Sequence, residues 1–297
     1  MLLTQANWPS IVQKDLSEVF VDQYRDFQSM LPMLYRFVDA QQGTEYDLEA
    51  GDVGSVPVYT GQITYDESKE GYKKSVTETE YSLGLKVQRK LLRNDLYGVV
   101  RDQVGLLAQA FRQKKESIGA SMFNDAFTTV NTVGDTLALC STAHTSNVGG
   151  STQSNSGTSA FSAANLEATR ILMVKFQTNR DNIRTAQPDL ILVPTDLHEK
   201  AFEILNSYGK VDTANNNRNF HQGRYKLAVW DNYLSDTTNW FLLDSKLMKR
   251  VLKFRQWEPV SFFRSGEFDT ITQKFAGYMA NGISSVDWKF VYGQNAA

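Results

Sequence analysis

The stretch NDLYGVVRDQVGLLAQAFRQKKESIGASMFNDAFT, residues 94–128, decides the fold, because it has the pattern of one long helix. Apolar residues recur in it at steps of three, four and seven, and this spacing places them on one face of a helix. These residues are Leu96, Val100, Val104, Leu107, Phe111, Ile118 and Met122. Charged residues, among them Lys115 and Glu116, fall on the other faces, and no proline interrupts the stretch.

Residue types also predict the ends of this helix. Asp95, or alternatively Asn94, is suited to cap the first turn, because a short polar side chain can accept its free backbone N–H groups. The β-branched residues at 128–130 lower helix propensity and predict the other end. At ~1.5 Å per residue the helix would span on the order of 50 Å, so we predict a spine on which other elements pack. The predicted core of the spine helix is Val100, Val104, Leu107, Phe111, Ile118 and Met122.

Composition limits the class of protein. The 297 residues are 41% hydrophobic and 22% charged, which is an ordinary globular balance. Thirty-one Lys and Arg residues against 33 Asp and Glu give a net charge of -2, without the basic excess of proteins that grip nucleic acid phosphates. The single Cys140 excludes an intrachain disulfide. No apolar run approaches the ~18 residues of a membrane span, so we expect a soluble protein made in the cytosol.

Ahead of the spine helix, residues 46–93 change from helical to strand periodicity. Glycine and proline punctuate a first extended stretch at 53–63, and apolar and polar residues alternate between Tyr81 and Val87. We predict a splayed hairpin whose outer part has few large apolar residues and therefore projects. Its charged tip, at 66–74, would gain almost nothing by packing on its own core, so we predict that the tip is an interface with another molecule. The residues assigned to this interface are Asp66, Glu67, Lys69, Glu70, Lys73 and Lys74.

The remaining chain alternates helices and strands. An amphipathic helix is predicted at 10–27, where its short length and terminal position suggest docking on a neighbouring molecule. A loop rich in Gly, Ser, Thr and Asn at 131–159 indicates a domain boundary. Ser162 is predicted to cap a helix with Leu172 facing inward, and Asp196 with Glu199 to form a capping box.

Several strands are predicted beyond this boundary, separated by a polar loop at 207–223. The run Leu190–Val193 is continuously apolar, as in a strand that is buried on both faces. Further strands are predicted at 225–229, 240–243 and 251–257. The alternation of Trp288, Phe290 and Tyr292 predicts a last strand near the end of the chain.

A search for catalytic chemistry yields no site. The three histidines lack metal-ligand spacing, and no Gly-rich phosphate loop or nucleophile elbow occurs. Cys140 and His144 could be a nucleophile with its base, but the apolar neighbours of Cys140 favour a structural thiol on a strand. We therefore predict no catalytic, cofactor-binding or metal-binding residues, no cofactor and no enzymatic activity.

The order of these elements resembles the major capsid protein of tailed bacteriophages, the Hong Kong ninety-seven fold. The motifs VYTG at 58–61, LGLK at 83–86 and LLRND at 91–95 look like the extended loop of that family running into its spine helix. LCSTAH at 139–144, LEA at 166–168 and LVPTDL at 192–197 look more specifically like Mu-like major head subunits. The resemblance covers residues 10 to 292.

This resemblance implies an α+β fold with an N-terminal arm, a projecting extended hairpin loop, a long spine helix in a peripheral domain, and a mixed α/β axial domain. The implied divisions are 1–45 for the arm, 46–93 for the extended loop and 94–160 for the spine helix with its following loop. Residues 161–256 would form the axial domain, with the loop at 207–223 near the symmetry axes. Residues 257–297 would supply closing strands of the peripheral domain.

The implied function is structural. The chain would self-assemble into hexamers and pentamers of an icosahedral phage head, made in the host bacterial cytoplasm and found in the virion. Its partners would be itself, portal and scaffold proteins, and packaged double-stranded DNA that is enclosed without sequence-specific binding, with no membrane. An N-terminal scaffolding segment would either have been removed or be replaced by a separate scaffold protein. An encapsulin-like compartment and a cytosolic enzyme with an unrecognised site are the alternatives.

Overall fold

A computed structural model of the chain describes residues 8–25, 28–67, 69–93, 98–184, 186–209, 217–267, 269 and 271–296. The fold is mixed α+β, as predicted. Its helices are α1 (Trp8–Arg25), α2 (Leu31–Leu34), α3 (Arg89–Arg93), α4 (Val99–Asn124), α5 (Ala163–Val174), α6 (His198–Asn206) and α7 (Ser245–Val251). Its strands are β1 (Arg36–Asp39), β2 (Thr44–Ala50), β3 (Glu70–Thr77), β4 (Thr79–Gln88), β5 (Ser156–Gly157), β6 (Leu190–Val193), β7 (Lys226–Val229), β8 (Trp240–Leu243), β9 (Leu252–Glu267), β10 (Thr272–Ser285) and β11 (Val291–Gln294).

The strands form three sheets. A four-stranded sheet has the order β1-β9-β10-β4, in which β10 runs antiparallel to both β9 and β4. A five-stranded sheet has the order β5-β11-β8-β6-β7, with β6 parallel to β7 and antiparallel to β8. Strands β2 and β3 form a separate antiparallel pair. Buried side chains of both larger sheets and of α4 belong to one continuous hydrophobic core.

Helix α4 is the predicted spine helix, but it is shorter than predicted. Its 26 residues span about 39 Å at ~1.5 Å per residue. It begins after Gly98, whose φ of 73° is a left-handed conformation that glycine adopts without strain. It ends at Asn124, because the chain turns at Asp125, whose carbonyl accepts the N–H of Thr128. The predicted caps, Asn94 and Asp95, lie outside the described residues.

The six predicted core residues of the spine helix, Val100, Val104, Leu107, Phe111, Ile118 and Met122, are all buried. The Phe111 ring packs edge-on against Phe20 of α1, with 6.4 Å between ring centroids. On its other side the ring lies against the backbone of β10, where a Cβ added to Gly277 would come within 2.3 Å of it. Close packing of the helix on the four-stranded sheet therefore depends on a glycine in β10.

Glu116 was predicted on an exposed face of the spine helix, and this prediction is wrong. It is 2% exposed, and its carboxylate accepts hydrogen bonds from Ser29 Oγ and from Trp230 Nε1, the latter at 3.0 Å. A buried carboxylate needs such partners, because burying it without them would cost several kcal/mol. Glu116 thus joins α4 to the segments that precede α2 and follow β7.

Helix α1 packs on its own chain, which corrects the prediction that it docks on a neighbour. Leu16 and Phe20 are buried against α4, and Arg112 of α4 donates to the backbone carbonyl of Gln23 at 2.8 Å. The helix spans Trp8–Arg25, and Tyr24 near its end is partly buried and packs against the core. Residues 26 and 27, the end of the predicted helix, lie outside the described residues.

Local patterns predicted some of the five-stranded sheet correctly. The strands Leu190–Val193 and Trp240–Leu243 are present and fully buried, and Ser162 Oγ accepts the N–H of Asn165 to cap α5. The predicted capping box is wrong, because Asp196 lies in a short 3₁₀ turn and α6 begins only at His198. Leu172 was predicted to face inward but is 47% exposed.

The strands at the end of the chain are distributed between the two larger sheets and do not follow the predicted division at 256/257. Strand β9 runs through the predicted domain boundary at 256/257 without a break. The last strand, β11, pairs with β8 and therefore completes the five-stranded sheet rather than the sheet that packs on α4. Trp288 and Phe290 precede this strand instead of alternating within it. Strand β10, which lies between β9 and β4, was not predicted.

A buried charge network fixes the β2–β3 pair to the four-stranded sheet. Asp47 of β2 is 1% exposed and accepts hydrogen bonds from Lys253 at 2.5 Å, from Arg255 at 2.6 Å and from Ser284. Burial alone would raise the pKa of the Asp47 carboxyl. The hydrogen bonds from Lys253 and Ser284 and the charges of Lys253 and Arg255 outweigh burial, so this pKa lies below its ordinary value.

We predict that this network makes the fold sensitive to acid. An unfolded Asp titrates near pH 3.9, so the stabilisation from Asp47 is complete above about that pH and is lost as the pH falls through the lower folded pKa. Asp47→Asn keeps an oxygen acceptor but removes the charge, and should lower stability at pH 7 by roughly 1–3 kcal/mol. Chemical denaturation at pH 3 to 7 should also show a flatter acid dependence for this variant. Asp39→Asn, at an exposed position, is the control and should match the unmodified protein.

Candidate assembly surface

The paired strands β2 and β3 are connected by a long irregular segment. In their register Thr44 faces Thr77 and Ala50 faces Glu70, and the chain between them leaves the sheet as an irregular segment. We call residues 51–67 and 69 the extended loop. The predicted tip at 66–74 is misplaced, because Glu70, Lys73 and Lys74 belong to β3. The large apolar side chains of the extended loop are exposed.

The extended loop carries a row of exposed apolar side chains. The exposed fractions are 73% for Val53, 95% for Val56, 87% for Val58, 73% for Tyr59, 71% for Ile63 and 87% for Tyr65. This row corrects the prediction that the outer hairpin has few large apolar residues. Fully burying each such side chain would contribute about 1.5–3 kcal/mol. An exposed apolar row of this size is typical of a surface that another molecule covers.

Ion pairing and hydrogen bonds hold the loop at its base. Arg180 Nη1 donates to both oxygens of Asp66, at 2.8 and 2.6 Å, and Arg180 Nη2 donates to the carbonyl of Glu67 at 2.8 Å. The backbone N–H of Gly54 also donates to Asp66, at 2.8 Å, and Asn182 Nδ2 donates to the carbonyl of Val53 at 2.9 Å. The Arg180 hydrogen bond, followed by that from Gly54, lowers the pKa of Asp66. Asp66 is therefore engaged within its own chain.

The other predicted interface residues fall into two groups. Glu67, Lys69, Glu70 and Lys73 are exposed, although the Lys73 amine also lies 3.9 Å from the centroid of the Tyr46 ring. Lys74 is half-buried, donates to Thr132 Oγ1, and has its pKa lowered by burial. Lys74 thus contributes to the fold of its own chain.

Cys140 and His144 do not meet as a nucleophile and base. The thiol is buried, and burial raises its pKa. His144 Nδ1 lies 2.6 Å from Asp135 Oδ2, and Nε2 lies 3.1 Å from Asn155 Oδ1. The imidazole also stacks on Trp288, with 4.3 Å between ring centroids. Both ring nitrogens are engaged by these neighbours, which supports the structural interpretation.

Two features are absent from the residues that the structure describes. Among those residues, no group of three or more His, Cys, Asp or Glu side chains could hold a metal ion. In the same residues, no helix is long and apolar enough to cross a membrane.

Arg180 and Asn182 are the residues of this surface that sequence reasoning missed. They lie more than a hundred positions from their partners in the loop. Neither belongs to a periodic pattern or a motif, so the sequence contains no signal that pairs them with the loop. The apolar row could have been found, because its residues alternate with small and polar ones at 53–65.

Comparisons with known proteins extend these observations. A family model described as "Phage capsid protein" matches residues 71–293. No curated protein matches the sequence. A chain of the procapsid of bacteriophage JBD30 is 12% identical, with a TM-score of 0.55 over 98% of this chain and 76% of that one. A virus-like particle from Pyrococcus furiosus is 10% identical, with a TM-score of 0.55 over 95% and 98% of the two chains. A chain of Microbacterium phage Oxtober96 is 11% identical, with a TM-score of 0.55 over 91% and 92%. At these identities the likeness shows a shared fold.

Proposed function

The chain belongs to the phage capsid protein family, and from this premise we propose that it is the shell subunit of a tailed phage or related prophage. It self-assembles into hexamers and pentamers of an icosahedral head that encloses double-stranded DNA. It is made in the host bacterial cytoplasm and resides in the virion. The motifs at 139–144, 166–168 and 192–197 resemble those of Mu-like major head subunits, so we expect a subunit of that type.

The observation that carries this proposal is the apolar row on the extended loop. Six large side chains between Val53 and Tyr65 are 71% or more exposed in the isolated chain. Apolar side chains on a loop that stays in solvent would not stabilise the protein. In a shell, a neighbouring copy of the same subunit can cover the apolar row at every subunit contact. The exposed charges of Glu67, Lys69, Glu70 and Lys73 follow the row in the sequence and would add weak pairs worth ~0.2–1 kcal/mol each.

In this proposal the two larger sheets have different places in the shell. The four-stranded sheet with α4 forms the peripheral domain, and the five-stranded sheet forms the axial domain. The loop at 207–223 lies near the symmetry axes. Tyr208 and Phe220, which flank the undescribed residues 210–216, are 71% and 55% exposed, and this exposure supports the placement.

Charge is consistent with the proposed cargo. A net charge of -2 gives the shell wall no overall attraction for phosphates, so DNA would be enclosed without tight binding to its backbone, and we expect no sequence-specific binding either. Weak binding of this kind leaves DNA free to enter and leave. Portal and scaffold proteins are the other expected partners, and no membrane is involved.

Negative-stain microscopy of the purified full chain tests the proposal. We expect closed, uniform shells, or closed shells once a scaffold partner is co-expressed. A small soluble oligomer under both conditions would contradict the proposal and favour the remaining alternative, an enzyme with an unrecognised site.

An encapsulin-like compartment is the second candidate, because the virus-like particle from Pyrococcus furiosus has the same fold. Particle contents separate the two functions. Nuclease-protected double-stranded DNA in particles from infected or induced cells supports the phage head. A single packaged protein in place of DNA would support the compartment.

A further inference from the structure

A buried lysine lies beneath the base of the extended loop. Lys289 is 2% exposed, and its Nζ donates to Asn179 Oδ1 at 2.7 Å and to Asp287 Oδ1 at 3.2 Å. Asn179 is itself 5% exposed. Lysine is almost never fully buried unless it is paired, and here one of its two partners is a side-chain amide. An amine and an amide carbonyl are therefore held together away from water.

A second carboxyl group contacts the other end of the same amide. Asn179 Nδ2 donates to Glu49 Oε1 at 3.1 Å. Burial, and then the negative charge of Asp287, raise the pKa of Glu49, so this carboxyl holds a proton more readily than an exposed one. The Asn179 amide thus has an amine at its oxygen and, at its nitrogen, a carboxyl oxygen that accepts its hydrogen bond.

We propose that Lys289 and Asn179 join in an intrachain isopeptide bond. The Lys289 Nζ attacks Cγ of Asn179, a new Cγ–Nζ bond forms, and the bond from Cγ to Nδ2 breaks. The leaving nitrogen departs as ammonium, so one lysine ammonium and one primary amide give one secondary amide and one ammonium ion. Atoms and charge balance without any oxidant or other co-reactant.

The two carboxyl groups have separate roles in this step. Asp287 is 3.2 Å from Nζ and is the acceptor for the proton that the amine must lose before it can attack. Burial would raise the pKa of Asp287, but the charges of Lys289 and Arg184 outweigh burial and keep the carboxyl ionised. Glu49 Oε1 accepts the hydrogen bond from Nδ2, so this carboxyl lies where a proton can be passed to the leaving nitrogen.

The surroundings favour the bond once it has formed. The Trp288 ring lies 5.1 Å from Nζ, and the burial of both reacting residues keeps water from hydrolysing the new amide. The backbone N–H of Asn179 donates to Asp52 at 2.6 Å, and the next residue, Arg180, holds Asp66. The bond would tie the support of the extended loop to the segment after β10. This inference stands independently of the proposed function.

Intact-mass measurement of the denatured full chain tests the bond. Loss of ammonia lowers the mass by about 17 Da relative to the sequence. Trypsin should then release the peptide 176–180 joined to the peptide 275–297, because a modified Lys289 is no longer cleaved. The full sequence mass, with cleavage after Lys289 and a free 176–180 peptide, would overturn the proposal.

Three variants separate the reaction from simple charge pairing. Lys289→Arg keeps the buried cation and Glu49→Gln keeps the side-chain shape, but both should have the full sequence mass. Lys69→Arg, at an exposed lysine, should keep the mass deficit and serves as the control. A deficit that persists in Lys289→Arg would overturn the bond, and one that persists in Glu49→Gln would overturn the role of Glu49.

Discussion

Replacing Phe111 by alanine is expected to lower the free energy of unfolding by about 3–5 kcal/mol. The ring is 3% exposed and fills the space between Phe20 of α1 and the backbone of β10 at Gly277. Truncation leaves a cavity between α4, α1 and β10. A closely packed helix and sheet cannot collapse into this cavity. Chemical denaturation of the unassembled subunit, followed by circular dichroism, measures the change.

Arg101→Ala is the matched control for this prediction. Arg101 lies on α4 but is exposed, so its removal should change stability by no more than about 0.5 kcal/mol. Lys115 would be a poor control, because its amine donates to Gln256 at 3.2 Å and lies over the Phe254 ring. Equal small effects for Phe111→Ala and Arg101→Ala would mean that α4 is not packed as described.

Replacing Val56, Val58 and Tyr59 together by aspartate is expected to abolish closed shells while leaving the subunit folded. The three side chains are 95%, 87% and 73% exposed in the isolated chain, so their removal costs its fold little. In a shell, each buried side chain of this kind would contribute about 1.5–3 kcal/mol. Because every 1.4 kcal/mol is a factor of ten in affinity, losing three contacts should weaken association by at least about a thousandfold.

Sedimentation velocity beside circular dichroism measures both parts of this expectation. The triple variant should sediment as a small folded species at concentrations where the unmodified protein forms shells. Val130→Asp replaces another exposed valine, 73% exposed and outside the extended loop, and should still assemble. Normal shells from the triple variant would show that the loop is not an assembly contact, and an unfolded variant would show that the loop belongs to the fold.

Sequence periodicity predicted two elements of the fold correctly. The buried face of α4 and the strand Leu190–Val193 could both be predicted, because the spacing of their apolar residues alone indicates which side chains are buried. Strand β10 could not, because Ala276, Gly277 and Ala280 interrupt its apolar pattern. Its small residues are explained by α4, since the Phe111 ring occupies the space above Gly277.

Contacts between residues that are far apart in sequence explain the other differences between the predicted and the observed structure. Glu116 was predicted to be exposed because its charge is visible in the sequence, whereas its partners, Ser29 and Trp230, are 87 and 114 positions away. The base of the extended loop is likewise held by a residue far away in sequence, because Arg180 donates to Asp66, 114 positions before it. The pairing of β11 with β8 likewise joins residues about fifty positions apart, and the alternation at 288–292 carries no information on that partner.

Electron cryomicroscopy of the assembled particle is the most direct test of the account. The extended loop of one subunit should lie across a neighbouring subunit, with Val56, Val58 and Tyr59 buried in that contact. Arg180 should hold Asp66 of the same chain at the base of the loop, as it does in the isolated chain. A reconstruction in which these three side chains stay exposed to solvent, or fold back onto their own subunit, would contradict the account.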